Sequence, residues 1–299
     1  MNILLKNPTI ADGVSPAVYT ADILISGNLI ADICPNINEN ANFQPIGRQV
    51  AAVLDLTGLH VTPGFIDAHS HDDCVYGDHK LRQGITTEIT GNCGLGYYPM
   101  DNGMEKYLRA AGLPVDAAEK PAAGPVTKRA ALVPHSNIRH VSGGDIRRMV
   151  KMLETGMERG AAGMSAGLYA PPGSLADADE LLRLCAVISR RGGIFAVHLR
   201  DEFEIDQSID ECVGLADKTG VRLQISHIKA VGVNKGRARK IIEKIEAARS
   251  RGIEITADCY PYTASMTGLA VLAPDYAANI ARRGGAEKIF IGSLSLARL

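Results

Sequence analysis

Short apolar runs alternate with longer segments of helical periodicity from the stretch VTPGFIDAHSH onward. GIFAVHLRD and RLQISHIK have the composition of strands, whereas DADELLRLCAVISRRG and GRARKIIEKIEAARSRG have the apolar spacing of amphipathic helices. Strands that alternate with helices form a parallel sheet, and this many units in one chain favour a barrel over separate domains. The sequence therefore predicts an α/β fold, a (β/α)8 TIM-like barrel, over residues 61–299.

Residues 1–60 have a different sequence pattern from the rest of the chain. Residues 1–60 contain short strand-like segments such as NILLKN and ADILISG, separated by Gly, Asn, Asp and Pro. This pattern predicts a small β-sandwich-like unit. Between the second and third barrel strands, LPVDAAEKPAAGPVTKRA is rich in Pro and Ala and is expected to be a surface insertion.

Composition narrows the class of protein. The 299 residues are 46% hydrophobic and 22% charged with a net charge of -1, which gives no reason to expect a nucleic-acid or membrane partner. MNILLKNPTI lacks the features of a signal peptide, and the six cysteines are scattered without the spacing of a disulfide framework or a zinc knuckle. We expect a cytoplasmic protein whose cysteines are mostly buried thiols.

Potential metal ligands recur where the predicted strands end. Because the carboxyl ends of barrel strands converge on one face, these side chains are expected to meet at the mouth of the barrel. Imidazoles and a thiolate suit zinc, and five ligands are enough for one tight zinc site and a second, weaker site beside it. The predicted metal ligands are His69, His71, Cys93, His198 and His227.

The remaining histidines are weaker candidates. A single histidine at a strand end is more often a hydrogen-bonded structural residue than a ligand. His135 follows the third predicted strand, where it either lines the cavity or bonds a neighbouring loop. His60, His79 and His140 stand away from strand ends and are expected to be at the surface.

Several motifs follow one another as in the amidohydrolase superfamily, specifically its N-acyl-D-amino-acid deacylase (D-aminoacylase) branch. They are VTPGFIDAHSHDD, GITTEITGNCGLG, LVPHSN, GAAGMSAGLYAPPG, AVHLRDE, ISHIK and DCYPYTA. The resemblance implies that Cys93, His198 and His227 hold a tightly bound zinc, and that His69 and His71 hold a weaker one. It also implies that Lys229 and Tyr260 contact the substrate carboxylate, and that the reaction releases a D-amino acid from its N-acyl derivative.

The chain departs from this family pattern after the seventh predicted strand. The family aspartate that serves as general base comes from an eighth strand, for which IGSLSLARL offers no match, so the catalytic base is unassigned and a C-terminal truncation is expected. Four other acidic residues are poorly placed to replace it: Asp67 is expected to lie deeper in the barrel, Asp201 and Glu202 beyond their ligand, and Asp258 before its strand end. Unpaired sheet edges would also favour self-association.

Two alternatives remain open at this point. Cyclic-amide hydrolases such as dihydroorotases share the paired histidines but usually bridge their metals with a carboxylated lysine, and AGMSAGL contains no lysine. The other alternative is a catalytically inactive metal-binding fragment.

Overall fold

A computed structural model describes most of the chain and divides it into two compact units, Met1–Phe65 and Ile66–Leu299. The described residues are 1–37, 50–71, 78–96, 128–139, 146–265 and 276–283. The predicted Pro/Ala-rich insertion, Cys74, His140 and the segment IGSLSLARL therefore lie partly or wholly outside the description.

The first unit consists of short strands in two sheets. The strands are β1 (Asn2–Lys6), β2 (Thr9–Ile10), β3 (Tyr19–Thr20), β4 (Asp22–Ser26), β5 (Leu29–Cys34), β6 (Val50–Asp55) and β7 (His60–Val61). One sheet has the order β5-β4-β1-β6 and the other the order β3-β2-β7. Leu4, Leu24 and Ile37 form one small buried cluster, and Ile10, Ala21 and Ile23 form another.

Seven strands form the sheet of the second unit, in the order in which they occur along the chain. They are β8 (Phe65–Asp67), β9 (Ile85–Thr90), β10 (Lys128–Pro134), β11 (Gly163–Gly167), β12 (Ile194–His198), β13 (Arg222–Ile225) and β14 (Ile255–Ala257). From β9 to β14 every neighbouring pair is parallel. Within the described ranges no backbone pairing joins β14 to β8, so the sheet has two end strands.

Helices connect most of these strands, as the alternating pattern predicts. They are α1 (His135–Ile138), α2 (Ile146–Glu158), α3 (Ala178–Arg190), α4 (Ile205–Thr219), α5 (Ala238–Ser250) and α6 (Tyr276–Arg282). Short 3-10 helices occur at Leu81–Gln83, Gly173–Leu175 and Gly232–Asn234. No helix among the described residues is long and apolar enough to cross a bilayer.

Local sequence explains where the helices begin and end. Asp177 caps α3 by accepting a hydrogen bond from the Glu180 N–H (2.9 Å), as an Asp at this position commonly does. α4 ends at Gly220, whose φ of 68° is the left-handed conformation that glycine adopts readily. These signals place the helices so that their apolar stripes face the sheet.

One large core joins the sheet to the helices. Phe195 and Val197 on β12 are fully buried, and so are Leu184 on α3, Ile209 on α4 and Ile225 on β13. A continuous apolar core of this kind supports the carboxyl ends of the strands as a rigid platform. Histidine and cysteine side chains lie at or just beyond several of those strand ends.

Candidate metal centre

The five predicted ligands come from four strands of the second unit. His69 and His71 follow β8, Cys93 follows β9, His198 is the last residue of β12, and His227 lies two residues beyond β13. Neither histidine of this pair is in the strand, because both follow its last residue. β8 stops at Asp67, whose Oδ1 accepts the N–H of His69 (3.1 Å) and so bends the chain out of the strand.

The ligand atoms form two groups that share Cys93. One group is His69, His71 and Cys93, and the other is Cys93, His198 and His227; within each group the donor atoms lie within 4.8 Å of one another. The Cys93 Sγ is 3.3 Å from His69 Nε2 and 3.3 Å from His227 Nε2. Imidazole nitrogens and a thiol sulfur are ligand types that would suit zinc.

The main chain is strained at two members of this set. Cys93 has a φ of 54° and His227 a φ of 35°, conformations that are uncommon outside glycine. Such strain is found where the surrounding structure fixes the backbone for function. Behind Cys93, β11 approaches so closely that a Cβ on Gly167 would stand 2.2 Å from the Cys93 carbonyl oxygen. Cys93 can therefore occupy its observed position because residue 167 has no Cβ.

Burial determines the charge of the ligands. Burial, reinforced by Lys229, lowers the pKa of His227 to about 3, and burial with the neighbouring His227 lowers the pKa of His198 further still. Both imidazoles are neutral at pH 7, the form that binds metal. Burial and the nearby Asp258 carboxylate raise the pKa of Cys93 far above its ordinary value. A divalent cation would offset that cost, because it stabilises the thiolate.

The carboxylates of Asp258 and Glu202 lie beside the ligand imidazoles, and neither was assigned to the site from the sequence. Asp258 was expected to precede its strand end, but β14 stops at Ala257, so Asp258 is the first residue beyond it. Its carboxylate lies 3.2 Å from His69 Nδ1. Glu202, expected to lie beyond the site, has Oε1 3.4 Å from His198 Nε2 and 3.7 Å from His227 Nδ1. The segment between His198 and Glu202 is not helical, so their spacing of four did not signal this contact.

The two predicted substrate contacts lie beside the cluster. The Lys229 ammonium forms a short ion pair with Glu202 and lies 3.2 Å from His227 Nδ1. The same Nζ is 5.8 Å from the centroid of the Tyr260 ring. Lys229 and Tyr260 are both half-buried, so a cation and an aromatic ring face the space next to the ligands.

His135 has a separate partner. Its side chain is fully buried, and its Nε2 lies 2.6 Å from Glu180 Oε1 on α3, where Arg139 pairs with the other carboxylate oxygen. The ligand groups found among the described residues do not include it. An aromatic residue that was not singled out, Tyr169, stacks on the His198 ring with the centroids 3.9 Å apart.

Comparison with known proteins places this site in a family. The model of the amidohydrolase family matches residues 52–258. The D-aminoacylase of Alcaligenes xylosoxydans xylosoxydans is 33% identical over 90% of this chain and 59% of its own length. The N-acyl-D-glutamate deacylase of Bordetella bronchiseptica, solved with zinc and a phosphonate inhibitor, is 29% identical with a TM-score of 0.72, covering 87% of this chain and 58% of that one.

A structure of D-aminoacylase described as having a binuclear metal centre is also similar. Its identity is 27% and its TM-score 0.70, over 87% of this chain and 58% of that one. These neighbours identify the second unit as an α/β, TIM-barrel-like fold, in agreement with the predicted fold class. The chain spans about 59% of the length of the curated relative that it matches. On the family match and its agreement with the motifs and the fold, this chain belongs to the amidohydrolase family.

Proposed function

We propose that the site binds zinc and hydrolyses the amide bond of N-acyl-D-amino acids, releasing a carboxylate and a D-amino acid. The observation that carries the proposal is the pair of ligand groups that share Cys93, with Lys229 beside them. The similarity to D-aminoacylase and to a zinc-bound N-acyl-D-glutamate deacylase supports the same reaction.

The ligands divide into two roles in this proposal. Cys93, His198 and His227 would hold one zinc ion tightly, and His69 and His71 would hold a weaker second ion with the same Cys93. Zinc supplies Lewis-acid polarisation of the amide carbonyl and lowers the pKa of water to near 7. The five side chains are supported by elements of one core, which favours a fixed ligand geometry.

In this proposal, Lys229 and Tyr260 orient the substrate. The ammonium of Lys229 would receive the free carboxylate of the substrate, and Tyr260 would lie against it. Glu202 already pairs with Lys229, so an incoming carboxylate shares or displaces that partner. Holding the substrate at its carboxylate places the amide beside the ligand cluster, and such positioning is a large part of catalysis.

Proton transfer to the leaving amine needs a general acid, and the proposal does not assign it. Asp258 and Glu202 have carboxylate oxygens beside the rings of the ligand histidines, and they are already engaged by His69 and by Lys229. A variant of a positioned acid or base typically loses a factor of about 10² to 10⁴ in rate. Rates of Asp258→Asn and Glu202→Gln, measured with each variant saturated with zinc so that weaker metal binding does not contribute, would identify the residue.

The test is release of amine by the purified, zinc-loaded chain from paired N-acetyl-D- and N-acetyl-L-amino acids, with a chelator control. Chelator-sensitive turnover of the D-series, abolished in Cys93→Ala, is the expected result. Turnover of dihydroorotate or a hydantoin in preference would instead establish a cyclic-amide hydrolase, although β11 carries no lysine. Zinc binding by a folded chain without turnover of any substrate would establish a metal-binding protein and overturn the proposal.

Two further properties belong to the proposal. The described cysteines are free thiols, and this supports a cytoplasmic location. Among the described strands, β8 and β14 are the end strands of the sheet, and this supports self-association through their edges. Sedimentation velocity over a range of concentrations tests the second property, and a monomer at all concentrations would exclude it.

A further inference from the structure

Asp258 contacts both ligand groups at once. Its carboxylate lies 3.2 Å from Nδ1 of His69, which belongs to the first group. Its Oδ1 also accepts the main-chain N–H of His227 at 2.7 Å, and His227 belongs to the second group. A third donor, the Gln224 amide, reaches Oδ2 at 2.7 Å. One half-buried side chain therefore touches the two histidines that flank Cys93.

The main chain holds Asp258 rigidly in this position. Its N–H donates to the Ile225 carbonyl at 3.1 Å, and its own carbonyl accepts the N–H of Ile228 at 2.8 Å. These two bonds lie on either side of His227, so the end of β14 is attached to the turn that carries His227. Because His227 has a positive φ, a bond to its N–H helps to hold a conformation that the residue would otherwise leave.

The three contacts also determine which His69 nitrogen carries hydrogen. The Gln224 amide and the His227 N–H can only donate, so the carboxylate serves as an acceptor to its neighbours. The hydrogen between His69 and Asp258 then resides on Nδ1, and Nε2 keeps its lone pair. That Nε2 is the atom 3.3 Å from both the Cys93 Sγ and the His71 Nε2. The geometry therefore presents the correct nitrogen to a metal ion.

We infer that Asp258 is a positioning residue that sets the His69 tautomer and the His227 backbone, and thereby prepares both metal-binding groups. The inference rests on the metal-binding part of the proposed function and does not depend on the substrate. Partners of this kind, hydrogen-bonded to a metal-binding histidine, typically contribute a factor of about 10 to 100 in metal affinity.

The first test measures zinc affinity by competition with a chromophoric chelator. Asp258→Asn keeps the size of the side chain but replaces one acceptor oxygen with an amide donor, so at least one of the three donors loses its acceptor. We therefore expect the zinc dissociation constants to rise by about 10- to 100-fold. Asp206→Asn is the matched control, because Asp206 pairs with Arg237 and not with a ligand histidine, and it is partly exposed. Equal zinc affinity in Asp258→Asn, Asp206→Asn and the original chain would overturn the inference.

The second test separates positioning from general structural support. Long-range ¹H–¹⁵N correlation spectra of the metal-free chain, with His69→Gln used for assignment, report which ring nitrogen is protonated. We expect His69 as the Nδ1–H tautomer in the original chain and a mixture in Asp258→Asn. An Nε2–H tautomer in the original chain would contradict the inference even if Asp258→Asn failed to fold. Neither measurement requires turnover, so an inactive chain still tests the inference.

Discussion

Cys93 is the residue on which both ligand groups depend. It supplies the only sulfur in either group, and its Sγ is equally close to His69 and His227. His71, in contrast, belongs to one group and is exposed. Loss of Cys93 therefore removes a member from both ligand groups, whereas loss of His71 removes a member from one.

Replacing Cys93 and His71 in turn should give different zinc stoichiometries. We expect Cys93→Ala to lose all tightly bound zinc, because each group would keep only two ligands and catalytic zinc typically needs three. His71→Ala should keep the ion held by Cys93, His198 and His227 and lose the second. Elemental analysis after gel filtration measures both contents. Equal zinc contents in the two variants would show that Cys93 is not shared.

The clustering of the five candidate ligands could be predicted from the sequence, whereas their contacts with carboxylates could not. Ligand residue types at successive strand ends are visible in one dimension, because the fold gathers those ends at one face. Asp258 and His69 are separated by 189 positions, and their contact depends on how the sheet brings β14 near β8. The error over Asp258 came from placing the end of β14 beyond it.

At the scale of elements, β11 sets the position of Cys93 through Gly167. A Cβ at this glycine would meet the Cys93 carbonyl oxygen at 2.2 Å, and a backbone atom cannot rotate away as a side chain can. Gly214, in the middle of α4, has open space around its Cα and is a useful contrast.

Alanine at the two glycines should therefore have opposite effects. Gly167→Ala must displace β11 or Cys93, so we expect lower stability and loss of zinc from both groups. Gly214→Ala should stabilise α4 by about 1 kcal/mol, because glycine is a poor helix former. Urea unfolding and zinc content are the measurements. Gly167→Ala with the original zinc content would show that the contact behind Cys93 is unimportant.

A buried ion cluster ties the histidine pair to the sheet. The Lys80 Nζ lies 2.8 Å from Asp67, 2.8 Å from Glu88 on β9 and 2.6 Å from the Ser70 hydroxyl. Glu88 is fully buried, and Ser70 stands between His69 and His71. The cluster thus holds the segment after β8 against β9.

Removing Lys80 should cost much more than removing a surface lysine. Lys80→Met removes the ammonium that lies 2.8 Å from the buried Glu88 carboxylate. Removing one partner of a buried ion pair typically costs about 3–5 kcal/mol of unfolding free energy. Lys244→Met is the control, since Lys244 pairs with the exposed Asp210 and should contribute about 0–1 kcal/mol. Denaturant titrations compare the two variants. Similar losses in both would mean that Glu88 finds another partner.

At the scale of the whole molecule, the alternation of strands and helices could be predicted from the sequence. The spacing of apolar residues reflects which face of each element is buried. What the sequence could not provide is the network between distant segments, such as His135 with Glu180 on α3 or Lys229 with Glu202. In these pairs each partner is an ordinary polar residue on its own. Their roles emerge only when the sheet brings their elements together.

Zinc should stabilise the second unit as a whole, because its ligands follow β8, β9, β12 and β13 and thus span most of the sheet. A ligand that binds only the folded chain stabilises it by about 4 kcal/mol when its free concentration is 1,000 times the dissociation constant. We therefore expect chelation to lower the unfolding free energy by about that amount from zinc-saturated conditions. Cys93→Ala should unfold alike with zinc and with chelator. If Cys93→Ala gained as much stability from zinc as the original chain, the metal would be acting elsewhere on the protein.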